Sequence, residues 1–215
     1  MLITISDTIE QWKIMQRNWL YLENIFASSK EIKEKCNKEW KEFDGVDKAW
    51  NRLMKKVAAK RLVKAHCTPQ RLEEFENHNR KMEEIQKKVE EYLDEKRTEF
   101  PRLYFISNDE LLQLLSQNTI DGVEPQLNKL FDQLYRFQKN PDANVPDLLG
   151  MISQDGEIVE FGKAVKINPQ KGVEGWLREV KDAMVETIKR RIREAGTDLN
   201  KEATIRQEWV LRHSG

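Results

Sequence analysis

The histidines and cysteines are the residues of this sequence that could ligate a metal ion or act as nucleophiles. The 215 residues include three histidines and two cysteines. His66 and Cys67 are adjacent, but no second pair follows at the spacing that a zinc site requires. Neither Cys36 nor Cys67 lies in a motif that would activate its thiol. We therefore predict no metal site and no catalytic residue, and we interpret His78 as a packed or half-exposed helix residue.

The segment GEIVEFGKA, from Gly156 to Ala164, is the best candidate for a nucleotide-binding loop. A phosphate-binding loop has four residues between its glycines and a serine or threonine after its lysine, because backbone amides wrap the phosphates and the hydroxyl reaches Mg²⁺. Here the glycines are separated by the five residues EIVEF, and Ala164 follows the lysine. The EIVEF stretch indicates a β-strand instead. We predict no cofactor site in this segment.

Paired carboxylates could act as a general acid and a general base. The pairs Glu73-Glu74 and Glu90-Glu91 have lysine or arginine neighbours at helical spacing. That pattern is typical of solvated helix faces carrying ion pairs. The tryptophans at positions 12, 19, 40 and 50 could stack bases, but their helical spacing favours packing in a core.

Composition restricts the fold and the classes of partner. Charged residues make up 34% of the chain and apolar residues 39%, with nine glycines and six prolines, which favours long, charged helices. Lysine plus arginine equals aspartate plus glutamate at 37 each, so we expect neither nucleic acid nor a membrane as partner. The paucity of cysteine and the lack of a leader or a spanning segment indicate a cytoplasmic protein. We predict a mainly α fold of elongated helical bundles with one small β-hairpin.

Apolar residues recurring at helical spacing predict long helices in the first hundred residues. The first runs through residues 9–26. Ser28 and Glu31 form a candidate capping box for the next helix, which passes through Gly45 without ending. Thr68 followed by proline signals the start of a third helix, a charged strut of roughly 40 Å.

A corner is predicted after this strut. Pro101 lacks an N–H and disfavours helical geometry at Phe100, so the strut should end there. Ser107 and Glu110 form a second candidate capping box at the start of a leucine-rich helix. We expect the apolar residues 104–106 to be buried between the strut and this helix.

The second half of the chain mixes helix and strand signals. A helix is predicted over residues 125–138, and the polar segment 139–147, which contains two prolines, is the clearest linker. Asp155-Gly156 predicts a hairpin at about residues 149–161. We therefore divide the chain into a helical bundle, residues 1–140, and a hairpin with further helices, residues 141–215.

Two more helices are predicted after the hairpin. Apolar residues at helical spacing predict a helix from Val173 that stops at Gly196. A last helix should hold Ile205, Trp209 and Val210.

Several phrases, in a fixed order, resemble the linker region of dynein heavy chains, which precedes the AAA+ motor ring. They are QRNWLYLENIF (16–26), IQKKVEEYLDEKRTEFPRLYFISNDELLQLLSQ (85–117), KLFD (129–132), GEIVEF (156–161), VEGWL (173–177) and RQEWV (206–210). The motif positions within them, together with the tryptophan at the matching distance downstream, are Trp19, Tyr21, Leu22, Glu23, Ile25, Phe26, Trp50, Gln86, Lys96, Arg97, Phe100, Pro101, Arg102, Tyr104, Phe105, Gly156, Phe161, Trp176 and Trp209. The phrasing is more similar to axonemal than to cytoplasmic heavy chains.

The resemblance implies a mechanical role for this chain. It implies a helical lever that lies across the AAA+ ring of the same heavy chain and moves as the ring binds and hydrolyses ATP. ATP, Mg²⁺, microtubules and the other dynein subunits would then be bound by the parent protein, of which this chain looks like a fragment. The implied location is the cytoskeleton, in the axoneme of a cilium or flagellum.

Two further expectations concern how such a segment works. Bending should concentrate where continuous helix is interrupted, near residues 140–147 and the hairpin or near Phe100-Pro101. The alternative function is a free-standing helical scaffold, a protein-interaction module that binds partner helices through residual apolar surface.

Overall fold

The computed structural model describes residues 1–117, 119–140, 147–200 and 205–213. The chain forms two compact units, which are Met1–Thr98 with Ser107–Gln117, and Glu99–Ile106 with Asn118–Gly215. The predicted fold class is confirmed, because the chain is mainly helical with one small antiparallel sheet. The division at residue 140 stays a prediction. Among the described residues, no helix is long and apolar enough to span a membrane.

The first unit consists of helices. They are α1 (Leu2–Ser28), α2 (Lys30–Lys35), α3 (Asn37–Ala59), α4 (Val63–His66), α5 (Pro69–Glu99) and α6 (Asn108–Gln117). The apolar stripe predicted on α1 is buried at Met15, Leu22, Ile25 and Phe26. Helix α3 continues through Gly45, as predicted, but the single helix expected after the cap is divided at Cys36 into α2 and α3.

The cap between α1 and α2 lies one residue later than the sequence suggests. The Ile32 N–H donates to Ser29 Oγ over 3.2 Å, so Ser29 rather than Ser28 is the N-cap. Ser28 is still the last residue of α1, and its hydroxyl donates to the Ile25 carbonyl at 3.1 Å. The capping box predicted at Ser28 is therefore wrong, because a cap requires the extended backbone that Ser29 adopts.

The two other predicted helix caps are confirmed. Arg71 N–H donates to Thr68 Oγ1 over 3.2 Å at the start of α5, which then runs for 31 residues. At α6 the capping box is reciprocal, since Glu110 N–H donates to Ser107 Oγ at 3.3 Å and Ser107 N–H donates to the Glu110 carboxylate at 2.9 Å.

The second unit combines short helices, a sheet and one long helix. Its helices are α7 (Ile120–Val123), α8 (Leu127–Leu130), α9 (Gly172–Leu199) and α10 (Arg206–Arg212), and its strands are β1 (Leu134–Lys139), β2 (Leu148–Ser153) and β3 (Ile158–Val165). The strands pair antiparallel in the order β1-β2-β3.

The helix predicted over residues 125–138 is wrong. Helix α8 ends at Leu130, Gln133 has a positive φ of 62°, and strand β1 follows. A register shift between Leu134 and Arg136 places Leu134 and Phe137 among the buried residues although they are three positions apart. Because of this irregularity, two buried residues of a strand have the three-residue spacing expected in a helix. The periodicity therefore predicted a helix where the structure has a strand.

The hairpin is confirmed. Strands β2 and β3 are joined by a tight turn in which Gly156 has φ +84° and its N–H donates to the Ser153 carbonyl at 3.1 Å. Most of the EIVEF stretch lies in β3, as its sequence indicates. The proposed linker, however, falls mainly on residues 141–146, which lie outside the described residues.

The helix stop predicted at Gly196 is also wrong. Helix α9 continues to Leu199, and Gly196 keeps a negative φ inside it. Glycine in a helix costs about 1 kcal/mol relative to alanine but does not by itself end it. The last predicted helix is confirmed as α10 for Trp209 and Val210, whereas Ile205 lies just before it as the N-cap residue.

Candidate functional site

The chemistry-bearing residues remain dispersed in the structure. Within the described ranges, no group of three or more histidine, cysteine or acidic side chains could hold a metal ion. The His66 Nε2 atom lies 2.6 Å from the Lys60 carbonyl oxygen, so this ring is engaged by its own loop. Cys36 and Cys67 are buried, and burial raises the pKa of each thiol, which lowers its thiolate fraction.

His78 is half-buried on α5, as interpreted from the sequence. Burial, with a smaller contribution from Lys81, lowers its pKa below the ordinary value of 6.5, although Glu74 opposes the shift. The unfolded chain therefore takes up this proton at a higher pH than the folded chain does. His78 should contribute stability that is fully present above pH 6.5 and is lost as the pH falls below that value.

An NMR titration of the His78 ring tests this expectation directly. The midpoint of the titration should lie below pH 6.5. In the His78→Gln variant, the free energy of unfolding should fall less steeply as the pH decreases below 6.5. A midpoint at or above 6.5 would show that burial does not control this imidazole.

The motif positions in α1 and α3 form an aromatic cluster in the first unit. The ring centroids of Trp19 and Trp50 are 5.7 Å apart, and Trp12 lies 5.3 Å from Phe75 of α5. These distances are typical of packed aromatic pairs. The tryptophans thus pack against other core aromatics, in agreement with the interpretation from their spacing.

A polar bond fixes one edge of this cluster. Trp19 Nε1 donates to Asp47 Oδ1 at 2.9 Å, and Asn51 Nδ2 donates to the same oxygen at 2.9 Å. Glu23 lies exposed on α1, whereas Leu22 is fully buried. The WLYLE phrase therefore follows the two sides of a helix, with Trp19 and Leu22 packed.

A polar junction joins α1, α5 and α6. Arg97 Nη2 donates to Asn108 Oδ1 at 2.6 Å, and Arg97 Nη1 donates to Asp94 at 3.2 Å. Tyr21 also hydrogen-bonds with Asn108, while burial, followed by the charges of Glu90 and Asp109, raises the pKa of its phenol. The Tyr21 phenol and the Arg97 guanidinium thus both bond to the Asn108 side chain. These bonds connect α1, α5 and α6.

Two further motif residues of α5 lie close to this junction in sequence. Lys96 is buried, and its Nζ lies 5.6 Å from the centroid of the Tyr92 ring. The Tyr92 hydroxyl donates to Glu31 of α2 at 2.9 Å. Gln86 is half-buried on the same helix.

The corner after α5 belongs to the second unit and is a 3₁₀ turn, Pro101–Phe105. Arg102 holds it, because Nη1 donates to the Leu130 carbonyl at 2.8 Å and the guanidinium carbon lies 4.8 Å from the Phe131 ring centroid. Phe100 also packs on Phe131, at 6.2 Å between centroids. Neither Leu130 nor Phe131 could be assigned to this corner from the sequence, since their contacts span about thirty positions.

The prediction that residues 104–106 are all buried is wrong for two of them. Ile106 is buried, but Tyr104 is 59% and Phe105 70% exposed. A 3₁₀ turn has three residues per turn. Phe100, Leu103 and Ile106 therefore share the inward side, while Tyr104 and Phe105 lie on the outward side.

The remaining motif positions stabilise the sheet and α9. Phe161 is buried on β3, and Trp176 of α9 is fully buried. Trp209 of α10 donates from Nε1 to the Ala195 carbonyl at 2.8 Å, which attaches α10 to α9. Sequence reasoning missed Arg178, whose guanidinium donates to the Glu99 carbonyl.

Comparisons with known proteins identify the chain. The family model described as dynein heavy chain, N-terminal region 2, matches residues 1–195. The chain belongs to the dynein heavy chain family. This family is the one that the motif phrases resemble, so the recognition is confirmed.

Dynein relatives match almost the whole chain. It is 38% identical to human dynein axonemal heavy chain 6, and 36% identical to the Chlamydomonas reinhardtii dynein-1-beta heavy chain of the flagellar inner arm I1 complex, in each case over 98% of the chain. It is 35% identical over its full length to human dynein axonemal heavy chain 12. These names agree with the predicted axonemal type. The chain spans only 5%, 5% and 7% of these dyneins, respectively.

Proposed function

We propose that this dynein segment is a non-catalytic mechanical lever. In the parent heavy chain it couples ATP-driven rearrangement of the AAA+ ring to movement along microtubules. The observation that supports this most is the uninterrupted helix α5, whose 31 residues correspond to a rod of ~46 Å. Residues buried along its whole length are Phe75, Asn79, Met82, Ile85, Val89, Leu93 and Lys96.

Continuous packing of this kind suits transmission of force. Close-packed interiors have low compressibility, so a helix anchored at each turn moves with its neighbours rather than bending alone. Asn79 adds a polar anchor, since its Nδ2 donates to the Gln11 side-chain oxygen at 2.8 Å and to the Gln11 carbonyl at 3.1 Å. The exposed face of α5 carries intrahelical ion pairs such as Lys88 with Glu91, which fits a solvated side.

The partners of this lever follow from the family. Its direct partner would be the AAA+ ring of the same heavy chain, and microtubules and other dynein subunits would be reached through the parent protein. ATP and Mg²⁺ would be held by that ring. The axonemal relatives support a location in the axoneme of a cilium or flagellum.

Bending is proposed at interruptions of the helices. One candidate is Phe100, whose extended backbone (φ −135°, ψ 93°) separates α5 from the following turn. The other, expected from the sequence alone, is residues 140–147 with the hairpin after them, although residues 141–146 lie outside the described part of the chain. Hydrogen exchange of the heavy chain in two nucleotide states should show changes at these places, and uniform protection there with changes elsewhere would rule them out.

The absence of catalysis is tested on the 215-residue chain alone. We expect no saturable ATP binding by titration calorimetry and no ATP hydrolysis, because residues 158–165 form a strand rather than a phosphate-binding loop. A micromolar dissociation constant would contradict the proposal that nucleotide is held elsewhere.

A free-standing helical scaffold is the second candidate. It is favoured by exposed apolar side chains on α9 and α10, including Ile188 and Leu211. The natural gene separates the two candidates. The lever requires motor sequences with several phosphate-binding loops downstream, whereas the scaffold requires none.

A further inference from the structure

A positively charged side of α3 has no role in the mechanical proposal. Eight lysines and arginines occur between positions 48 and 72, a range without an acidic residue, although the whole chain has 37 residues of each sign. Three of the eight, Lys48, Arg52 and Lys55, follow one another at steps of four and three, which places them on one side of a helix. Together with Asn51 they line a crevice of about 450 Å³. These three cations are called the basic face below.

The basic face is directed to solvent. All three of its residues are exposed, whereas Trp50 and Leu53 of the same helix are buried. Helix α3 therefore uses its apolar side within the first unit and leaves its basic face uncovered. A partner could reach this face without any rearrangement of the core.

The chain does not neutralise the basic face itself. Lys48 lies 2.5 Å from Asp44, but Arg52 and Lys55 form no ion pair within the part of the chain that the structure describes. Asp47, the acidic residue nearest to this run in the sequence, already accepts hydrogen bonds from two other side chains. Two cations of the basic face are therefore available to an external anion.

The end of the helix does not explain these cations. Basic residues stabilise the last turn of a helix through its dipole, and in α3, which ends at Ala59, the basic residue of that turn is Lys56. Arg52 lies more than a turn before this end and has like charges four residues away on each side, at Lys48 and Lys56. Such pairs destabilise a helix. A local cost without a compensating contact is typical of a functional surface.

The surroundings of the basic face favour an acidic protein segment over a membrane or a nucleic acid. A basic helix that binds a membrane surface inserts its apolar side, but that side of α3 is buried. A nucleic acid presents phosphates over a long distance, whereas acidic residues bound the basic run at Asp47 and at Glu73. Arg52 has the planar guanidinium that matches a carboxylate in a bidentate pair.

We propose that the basic face of α3 binds an acidic segment of a partner protein, with carboxylates paired to Arg52, Lys55 and Lys48. Along the helix axis, Arg52 lies about 6 Å from Lys48 and about 4.5 Å from Lys55, so neighbouring carboxylates of one short segment can reach all three. The other exposed cations of the run, Lys60 and Lys64 among them, would add long-range attraction. This binding does not depend on the lever proposal.

The test is a titration of the 215-residue chain with a labelled acidic peptide that repeats glutamate-glutamate-alanine, followed by fluorescence anisotropy. A peptide with glutamine in place of glutamate is the uncharged control. We expect saturable binding of the acidic peptide that weakens as salt is added, because the contact is electrostatic and exposed. The double variant Arg52→Glu, Lys55→Glu should weaken this binding by about tenfold or more.

A matched pair of charge reversals separates the basic face from the general charge of the chain. Lys88→Glu with Lys189→Glu changes the net charge by the same amount, but these lysines are exposed and already paired with Glu91 and Glu186. This control should change peptide binding by less than about twofold. The milder variant Arg52→Gln, Lys55→Gln, which introduces no repulsion, should weaken binding by about threefold.

Three results would overturn the proposal. The first is the lack of saturable binding by the acidic peptide. The second is an equal loss of binding in the two charge-reversed double variants, since the peptide would then sense only the net charge. The third is tighter binding to duplex DNA or to phosphatidylserine vesicles, measured with the same chain, than to the acidic peptide.

Discussion

Replacing Phe26 with alanine is expected to lower the free energy of unfolding by about 3–5 kcal/mol. Phe26 is fully buried, and its ring centroid lies 5.4 Å from Trp40 and 5.4 Å from Phe43. The substitution leaves a cavity between α1 and α3 that neighbouring rings cannot fill without leaving their own contacts.

The matched control for Phe26→Ala is Leu20→Ala on the same helix. Leu20 is 51% exposed, so Leu20→Ala should lower the free energy of unfolding by less than about 1 kcal/mol. Both values come from denaturant titrations of the 215-residue chain. Equal losses for the two variants would mean that the aromatic cluster does not carry the stability of the first unit.

Replacing Leu103 with alanine should lower the free energy of unfolding by about 2–5 kcal/mol. Leu103 is fully buried in the 3₁₀ turn, on the inward side with Phe100 and Ile106. The turn is otherwise held by Arg102 on the Leu130 carbonyl, so loss of its apolar anchor should loosen the whole corner. Denaturant titration measures the loss.

Phe105→Ala is the control within the same turn. Its ring is 70% exposed, and removing it should change the free energy of unfolding by less than about 0.5 kcal/mol. If Phe105→Ala destabilised the chain as much as Leu103→Ala, the inward and outward sides of the turn would be assigned wrongly. The result also tests the corrected view of this motif, in which its aromatic pair lies outside the core.

Local chemistry explains which elements could be predicted from the sequence. Thr68, Ser107 and Glu110 act on amides three residues away, and Asp155-Gly156 sets its own turn, so these signals are complete within a few positions. The motif phrases identify the family because they preserve such local chemistry together with the packed positions of long helices.

The predictions that were wrong concern elements whose structure depends on contacts with residues distant in the sequence. Strand β1 exists because β2 pairs with it, and its register shift gives Leu134 and Phe137 a helix-like spacing. Gly196 could end a helix, yet Trp209 binds the carbonyl of the adjacent Ala195 and α9 continues. Phe131, likewise, reaches the corner only through the tertiary fold.

Contacts between elements at the candidate site were likewise not predictable from the sequence. The sequence indicated which positions carry the motifs, but not that Arg97 and Tyr21 share Asn108. It also did not indicate that Ile158 of β3 and Ile192 of α9 line one groove, because the strand and the helix are separate in sequence. Such sites depend on how elements pack, and periodicity within one element does not reveal them.

The central claim, that this segment is a rigid lever without catalytic function, is tested most directly by breaking α5 in the full heavy chain. Glu84 is exposed near the middle of α5, so Glu84→Pro interrupts the helix while Glu84→Ala preserves it. Microtubule gliding velocity and ATP turnover are measured on the same preparations. We predict that Glu84→Pro lowers gliding velocity by about tenfold or more, keeps ATP turnover within about twofold, and that Glu84→Ala changes neither. Unchanged gliding by Glu84→Pro, or a parallel loss of gliding and ATP turnover, would contradict the account.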